Sequence, residues 1–211
     1  MSPVAPRSEA LRIAGPAGVI EALLEDPRST PGTGFGVICH PHPLHGGTMQ
    51  NKVVHTLARA LQEQELATLR FNFRGVGASE GVYDEGRGEC DDALAVIDWG
   101  RARWPDAPLV LAGFSFGAMV ALRIAAVARP ERLITVAPPV TRVPLADIAP
   151  PPCPWLIVQG EADELVDYRE VQAWAARFDP QPLLRLLPGV DHFFHGRLHE
   201  LRAAVMDRHD S

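Results

Sequence analysis

Leu109-Val110-Leu111-Ala112-Gly113-Phe114-Ser115-Phe116-Gly117-Ala118-Met119-Val120-Ala121-Leu122 is the stretch from which the rest of the chain is read. A short apolar run, Leu109–Ala112, ends in Gly113-x-Ser115-x-Gly117, and a helix-forming run, Ala118–Ala128, follows. Strand, tight turn and helix in that order are the setting in which G-x-S-x-G becomes a nucleophile elbow. So sharp a turn leaves no room for large neighbours, hence Gly113 and Gly117. It also lifts the Ser115 hydroxyl clear of the carboxyl edge of the strand.

Outward from this stretch, strands and helices alternate. Leu11–Ala14 and Val19–Leu24, split by Gly15-Pro16-Ala17-Gly18, read as an N-terminal hairpin. Phe35–Cys39 is a strand, Lys52–Gln64 a helix with Val53, Val54, Leu57, Ala58 and Leu61 on one stripe, and Leu66–Phe73 a strand ended by Gly75 and Gly77. Cys90–Trp104 is helical, Leu133–Ala137 and Trp155–Gln159 are strands, and Arg169–Phe178 (helix), Leu183–Leu187 (strand) and Arg197–Arg208 (helix) complete the chain. The later strands are apolar throughout rather than alternating, the mark of a parallel sheet covered on both faces. With no linker or repeat, residues 1–211 are expected to form a single domain.

Composition agrees. The 211 residues include 20 Lys+Arg and 26 Asp+Glu, for a net charge of −6, with 46% apolar and 22% charged residues. Disordered, collagen-like and coiled-coil chains are excluded. The acidic balance argues against nucleic acid or an anionic membrane as partner, and no apolar run approaches the roughly 20 residues of a membrane helix. The N-terminus shows no secretory signal, and Cys39, Cys90 and Cys153 are too scattered for a disulfide framework, so a cytoplasmic protein is expected. Twenty prolines, about twice the usual share, cluster at strand ends and read as loop stiffeners.

A serine hydroxyl needs a base, and the base an orienting acid. Two loops leaving strand ends carry the candidates: Gly160-Glu161-Ala162-Asp163-Glu164-Leu165-Val166 and Gly189-Val190-Asp191-His192-Phe193-Phe194. Both face the sheet edge where ligands gather in open α/β folds. For the base the candidates are His192 and His195. For the acid they are Asp163, Glu161, Glu164 and Asp167, with Asp163 favoured because a short side chain loses less freedom there.

These motifs resemble, over roughly Leu11–Val205, a small α/β-hydrolase-fold serine hydrolase. Gly113–Gly117 matches the elbow, Gly160-x-x-Asp163-x-Leu165-Val166 the acid loop and Gly189-x-x-His192 the histidine loop. Phe71-Asn72-Phe73-Arg74-Gly75-Val76-Gly77-Ala78-Ser79 resembles the D-x-R-G-x-G-x-S turn, with Asn72 in place of the acidic residue and Val76 where histidine is common. His40-Pro41-His42-Pro43 resembles the H-G-x-P segment, and its H-P-H-P-L-x-G-G-T-M form is similar to that of a lidless group of small bacterial hydrolases known only as predicted enzymes. The resemblance implies a three-layer α/β/α sandwich with an eight-stranded, mostly parallel sheet and an antiparallel N-terminal hairpin. It implies Ser115 as nucleophile, His192 as base and Asp163 as orienting acid.

It also implies an oxyanion hole, with the Phe116 amide as one donor and the loop after the third strand as source of the second. Pro41 and Pro43 have no N–H. His42 sits at the matching position, and Leu44 is the alternative. His40 is expected to bond backbone behind the site and His45 to lie on the surface. The histidine clusters lack H-E-x-x-H, Gly81 falls one position late for G-x-G-x-x-G and no P-loop occurs, so neither metal nor other cofactor is expected.

The proline-rich connection from Val140 to Pro154 is too short for a helical lid domain. An open site acting on soluble short-acyl esters follows, a small-molecule ester being the expected partner, with Phe114, Phe116, Phe193, Phe194 and Leu44 as candidates to line an acyl pocket. Ester or thioester hydrolysis leads. Acyl transfer or amide hydrolysis uses the same groups, and a binding protein on a hydrolase scaffold is the reading from another class. The oligomeric state is left open.

Overall fold

The computed structural model describes residues 7–26, 34–141 and 148–207. Eight strands form one sheet: β1 (Arg7–Gly15), β2 (Gly18–Asp26), β3 (Phe35–Cys39), β4 (Ala67–Phe71), β5 (Leu109–Phe114), β6 (Arg132–Val136), β7 (Trp155–Gly160) and β8 (Leu183–Leu187). Five helices accompany them: α1 (Lys52–Gln62), α2 (Arg87–Arg103), α3 (Phe116–Ala128), α4 (Tyr168–Ala175) and α5 (Leu198–Met206). The strand order is β1-β2-β4-β3-β5-β6-β7-β8. The β1–β2 and β2–β4 pairs are antiparallel and every other pair is parallel.

The hairpin is longer than its apolar runs. Arg7 pairs with Asp26 and the register continues to Gly15 opposite Gly18. Only Ile13, Ile20, Ala22 and Leu24 of its side chains are buried. Backbone pairing thus outruns the hydrophobic signal at the polar strand ends.

Every residue of β3, β4, β5 and β7 is buried; β3 and β5 accordingly read as continuous apolar runs, whereas β4 buries Thr68 and Arg70 and β7 buries Gln159 among their apolar residues. Successive residues feed opposite cores. Leu109 and Leu111 of β5 pack with α2, α3 and α4, whereas Val110, Ala112 and Phe114 pack with α1 and α5. Three of the helices, α1, α4 and α2, begin where the sequence supplies side-chain caps. The Asn51 side chain accepts from the Val53 N–H, the Asp167 side chain from the Arg169 N–H, and the Glu89 carboxylate reaches back to the Gly86 N–H.

The carboxyl ends of β3 through β8 therefore share one edge. The turn after β4 is fixed there by Arg74, whose backbone N–H and guanidinium both donate to the buried Asp92 carboxylate of α2. Part of the β6–β7 connection, residues 142–147, lies outside the described residues. Its described residues, 137–141 and 148–154, contain no helix.

Candidate active site

Ser115 sits between β5 and α3 at φ 53° and ψ −116°, a backbone state L-residues seldom occupy. The surroundings hold it there. Its N–H donates to the Val136 carbonyl at 2.8 Å, and its own carbonyl accepts from Ala118 N–H at 2.9 Å and Met119 N–H at 3.2 Å. A Cβ on Gly113 would collide with the Gly117 carbonyl, and one on Gly117 with the carbonyls of Cys39 and His40. Both glycines are thus demanded by close backbone approach.

His192 arrives from the loop after β8. Its Nε2 is 3.1 Å from Ser115 Oγ, and its Nδ1 is 2.8 Å from Asp163 Oδ2. Imidazole and carboxylate are both buried. Asp163 Oδ1 accepts from the Leu165 and Val166 N–H groups, each at 2.8 Å, and Oδ2 accepts from Gln159 Nε2 at 3.0 Å. Burial pushes this carboxyl up, but the His192 hydrogen bond and charge, with the Val166 and Leu165 amides, more than offset it and hold it below the usual carboxylate range. An ionised carboxylate only accepts, so Nδ1 carries the imidazole proton and Nε2 is left to accept from the serine hydroxyl.

The acid and histidine loops are joined to each other. Glu161 N–H donates to the Leu187 carbonyl and Ala162 N–H to the Val190 carbonyl, each at 3.0 Å, and the His192 N–H donates to Glu164 Oε2 at 3.2 Å. Phe114 and Phe193 lie on the imidazole, with ring centroids 5.1 Å and 5.0 Å away.

The alternatives fall elsewhere. His195 is exposed and binds Asp191 through both its N–H and its ring. Asp167 caps α4, Glu161 is exposed, and Glu164 meets the backbone rather than the ring of His192. Cys39 is buried beneath the edge, and burial, then Cys90, pushes its thiol up. His40 accepts the Phe73 N–H on Nε2 at 3.0 Å, and its Nδ1 lies 2.6 Å from the Pro41 carbonyl. His45 is exposed. Among the described residues no group of three or more His, Cys, Asp or Glu is placed to hold a metal ion.

On the opposite flank, nearly every polar atom of His42 is engaged. Its carbonyl accepts from the His45 N–H at 3.1 Å and the Gly47 N–H at 3.0 Å. Its Nδ1 accepts from the Leu44 N–H at 3.2 Å, and its Nε2 is 3.2 Å from the Tyr83 hydroxyl. Among the described residues neither the His42 N–H nor the Phe116 N–H meets an acceptor. The His42 ring lies over Phe116, centroids 5.0 Å apart.

The aromatic residues divide. Phe114 and Phe194 are both 0% exposed, so they build the core behind the site. Phe116 is also buried, whereas Phe193 is 42% exposed and Leu44 67%. Val82 and Leu165 are further exposed apolar side chains, next in sequence to Tyr83 and two residues from Asp163.

Two residues were not foreseen from sequence. Gln159, fully buried, donates to Asp163 and to the Val166 carbonyl. The signal for it was one polar residue in the apolar run Trp155-Leu156-Ile157-Val158-Gln159. Tyr83 reaches His42 from 41 residues away, and no local pattern announces that contact.

With this geometry in view, the relatives are informative. Residues 42–153 match the family described as serine aminopeptidase, S33. An uncharacterised protein of Rickettsia prowazekii is 36% identical over 204 residues, covering 92% of this chain and 85% of its own. A Xanthomonas campestris protein, described as an α/β serine hydrolase without lid, is 45% identical with a TM-score of 0.89, covering 94% of this chain and 92% of that one. An α/β serine hydrolase homologue from Coxiella burnetii is 46% identical with a TM-score of 0.90, covering 94% of this chain and 95% of that one. The strained Ser115 turn, the doubly covered parallel sheet and these matches together place the chain in the S33 serine aminopeptidase family of α/β-hydrolase-fold proteins, beside a serine hydrolase described as having no lid.

Proposed function

We propose that the protein hydrolyses small carboxylic esters or thioesters through an acyl-enzyme on Ser115. The observation that carries this reading is the unbroken hydrogen-bond chain from Ser115 Oγ through His192 to Asp163, with separations of 3.1 and 2.8 Å. Ser115 Oγ attacks the acyl carbon as its proton passes to His192 Nε2. Asp163 holds the ring in the required tautomer and stabilises the imidazolium. His192 then returns the proton to the departing alcohol or thiol. A water deprotonated by the same nitrogen releases the acid and restores Ser115.

The oxyanion is received by the Phe116 and His42 amides. Phe116 follows the nucleophile at the start of α3, and His42 keeps its N–H uncommitted while its carbonyl and ring are held. Leu44, the alternative donor, spends its N–H on His42 Nδ1. Each preorganised donor contributes on the order of 3 kcal/mol to the transition state. Phe193 and Leu44 offer exposed apolar surface for the acyl or alcohol group; Phe114 supports the imidazole instead.

Amide hydrolysis is the second reading, favoured by the aminopeptidase description of the family, and acyl transfer would use the same groups. Only the leaving group or acceptor differs. Fluorophosphonate labelling followed by intact mass, beside a Ser115→Ala control, tests the nucleophile. One adduct on the wild type and none on the control is expected, and an unlabelled folded protein overturns the reading. Product analysis with competing amines and alcohols then separates hydrolysis from transfer.

A further inference from the structure

Tyr83 lies in the loop before α2, in a part of the chain to which the motifs assign no chemistry. That loop is firmly held, because the buried Glu89 carboxylate accepts from both the Asp84 and Gly86 N–H groups at 2.9 and 2.7 Å. The Tyr83 ring packs against His42 and Phe116, with centroids 5.1 and 5.9 Å away. The side chains of both proposed oxyanion residues therefore touch one phenol.

The direction of the Tyr83–His42 hydrogen bond follows by elimination. The Leu44 N–H can only donate, so His42 Nδ1 is the acceptor and bears no proton. A neutral imidazole then carries its hydrogen on Nε2, and that hydrogen points to the Tyr83 oxygen 3.2 Å away. Burial first, then the His45 charge, keeps His42 below its ordinary value and hence neutral. Tyr83 is therefore the acceptor in this bond, and its own hydroxyl hydrogen is not used there. Among the described residues nothing else accepts it. Burial, with the Glu89 and Glu85 charges, pushes the phenol up, so it keeps that hydrogen at neutral pH.

We propose that the half-buried Tyr83 is a further substrate-contacting donor, its hydroxyl hydrogen-bonding the acyl oxygen of the ester as charge develops on it, beside the His42 and Phe116 amides. This rests on the reading of Ser115 as nucleophile and deepens it. The phenol comes from the loop before α2, and the bond from His42 Nε2–H polarises it toward donation.

The test is the second-order rate of fluorophosphonate labelling and kcat/KM on a soluble aryl ester, for wild type and Tyr83→Phe. Phenylalanine keeps the ring contacts. Both rates are expected to fall at least about tenfold, mainly in kcat, with Tm nearly unchanged. Equal rates in the two proteins overturn the proposal alone, whereas an unlabelled wild type overturns it together with the reading of Ser115. A second measurement separates donation from a merely structural hold on His42. The chain has two tyrosines, Tyr83 and Tyr168, so biosynthetic 3-fluorotyrosine changes one phenol near the site. A more acidic phenol donates more strongly and accepts more weakly. A faster rate at neutral pH, repeated in a Tyr168→Phe background, is expected, and an unchanged or slower one overturns the proposal.

Discussion

The imidazole of His40 accepts the amide hydrogen of Phe73 at 3.0 Å, tying the end of β3 to the turn after β4. Its Nδ1 faces the Pro41 carbonyl, so the ring works only as the neutral tautomer. Burial pushes its pKa down to about 4 from 6.5, against the opposing pull of the Pro41 carbonyl. The unfolded chain takes up a proton in that window and the folded chain refuses it. This contribution is complete above pH 6.5 and is lost as pH falls toward 4, amounting to about 3 kcal/mol. Urea unfolding across this range should show His40→Gln with a shallower pH slope by about one proton, alongside lower stability at neutral pH.

Asn72 stands at the first position of the D-x-R-G-x-G-x-S turn that this segment resembles, and its neighbours explain the amide. Nδ2 donates to Glu21 Oε2 at 2.6 Å, and Oδ1 accepts the Met49 N–H at 2.8 Å. A carboxylate could accept from Met49 but would oppose Glu21. Asn72→Asp is expected to cost about 1–3 kcal/mol in chemical denaturation. Adding Glu21→Gln should recover most of the loss by restoring a donor to the pair.

Ser115 carries backbone strain that glycine relieves. Ser115→Gly should unfold at higher denaturant than Ser115→Ala, by about 1–3 kcal/mol. Both variants should be inactive toward esters and silent to fluorophosphonate. Equal stabilities would mean that the turn is not strained.

Asp163→Asn tests the proposed role of Asp163 as orienting acid. An amide accepts only through its oxygen, so the Leu165 and Val166 amides compete with the imidazole for it. With its amine toward the ring, the wrong His192 tautomer is favoured. A fall in kcat on the order of 10⁴-fold is expected, with KM little changed. Gln159→Leu removes one donor to the same carboxylate and should lower kcat more modestly.

The open edge of the sheet bears on substrate form. Rates on a short-chain ester should follow monomer concentration and show no rise as a longer homologue passes its solubility limit. A jump at that limit would mean interfacial activation and would overturn the expectation of a soluble substrate.

How much of this was legible beforehand depended on whether the signal was local. The elbow announced itself because Gly113, Ser115 and Gly117 are neighbours whose spacing is dictated by one turn. β3 and β5 were legible because burial on both faces leaves no polar alternation, whereas β4 buries Thr68 and Arg70 between its apolar residues. Hairpin ends were not, since Arg7–Ala10 pair through backbone while their side chains stay exposed. Phe114 was a candidate pocket wall, and its full burial follows from the alternation of β5, which sends it toward α1 and α5. Tyr83 was illegible because its partner is set by how two loops meet at the sheet edge.

The hydrogen bonds that join the Asp163 and His192 loops have a mechanical consequence. Acid and imidazole ride together on β7 and β8, whereas the serine rides on β5, with the β6–β7 seam between them. A small shear along that seam would stretch the 3.1 Å gap to Ser115 while leaving the 2.8 Å bond to Asp163 intact. Heat or denaturant would then uncouple the serine first, so the enzyme would fall silent before its fold gave way.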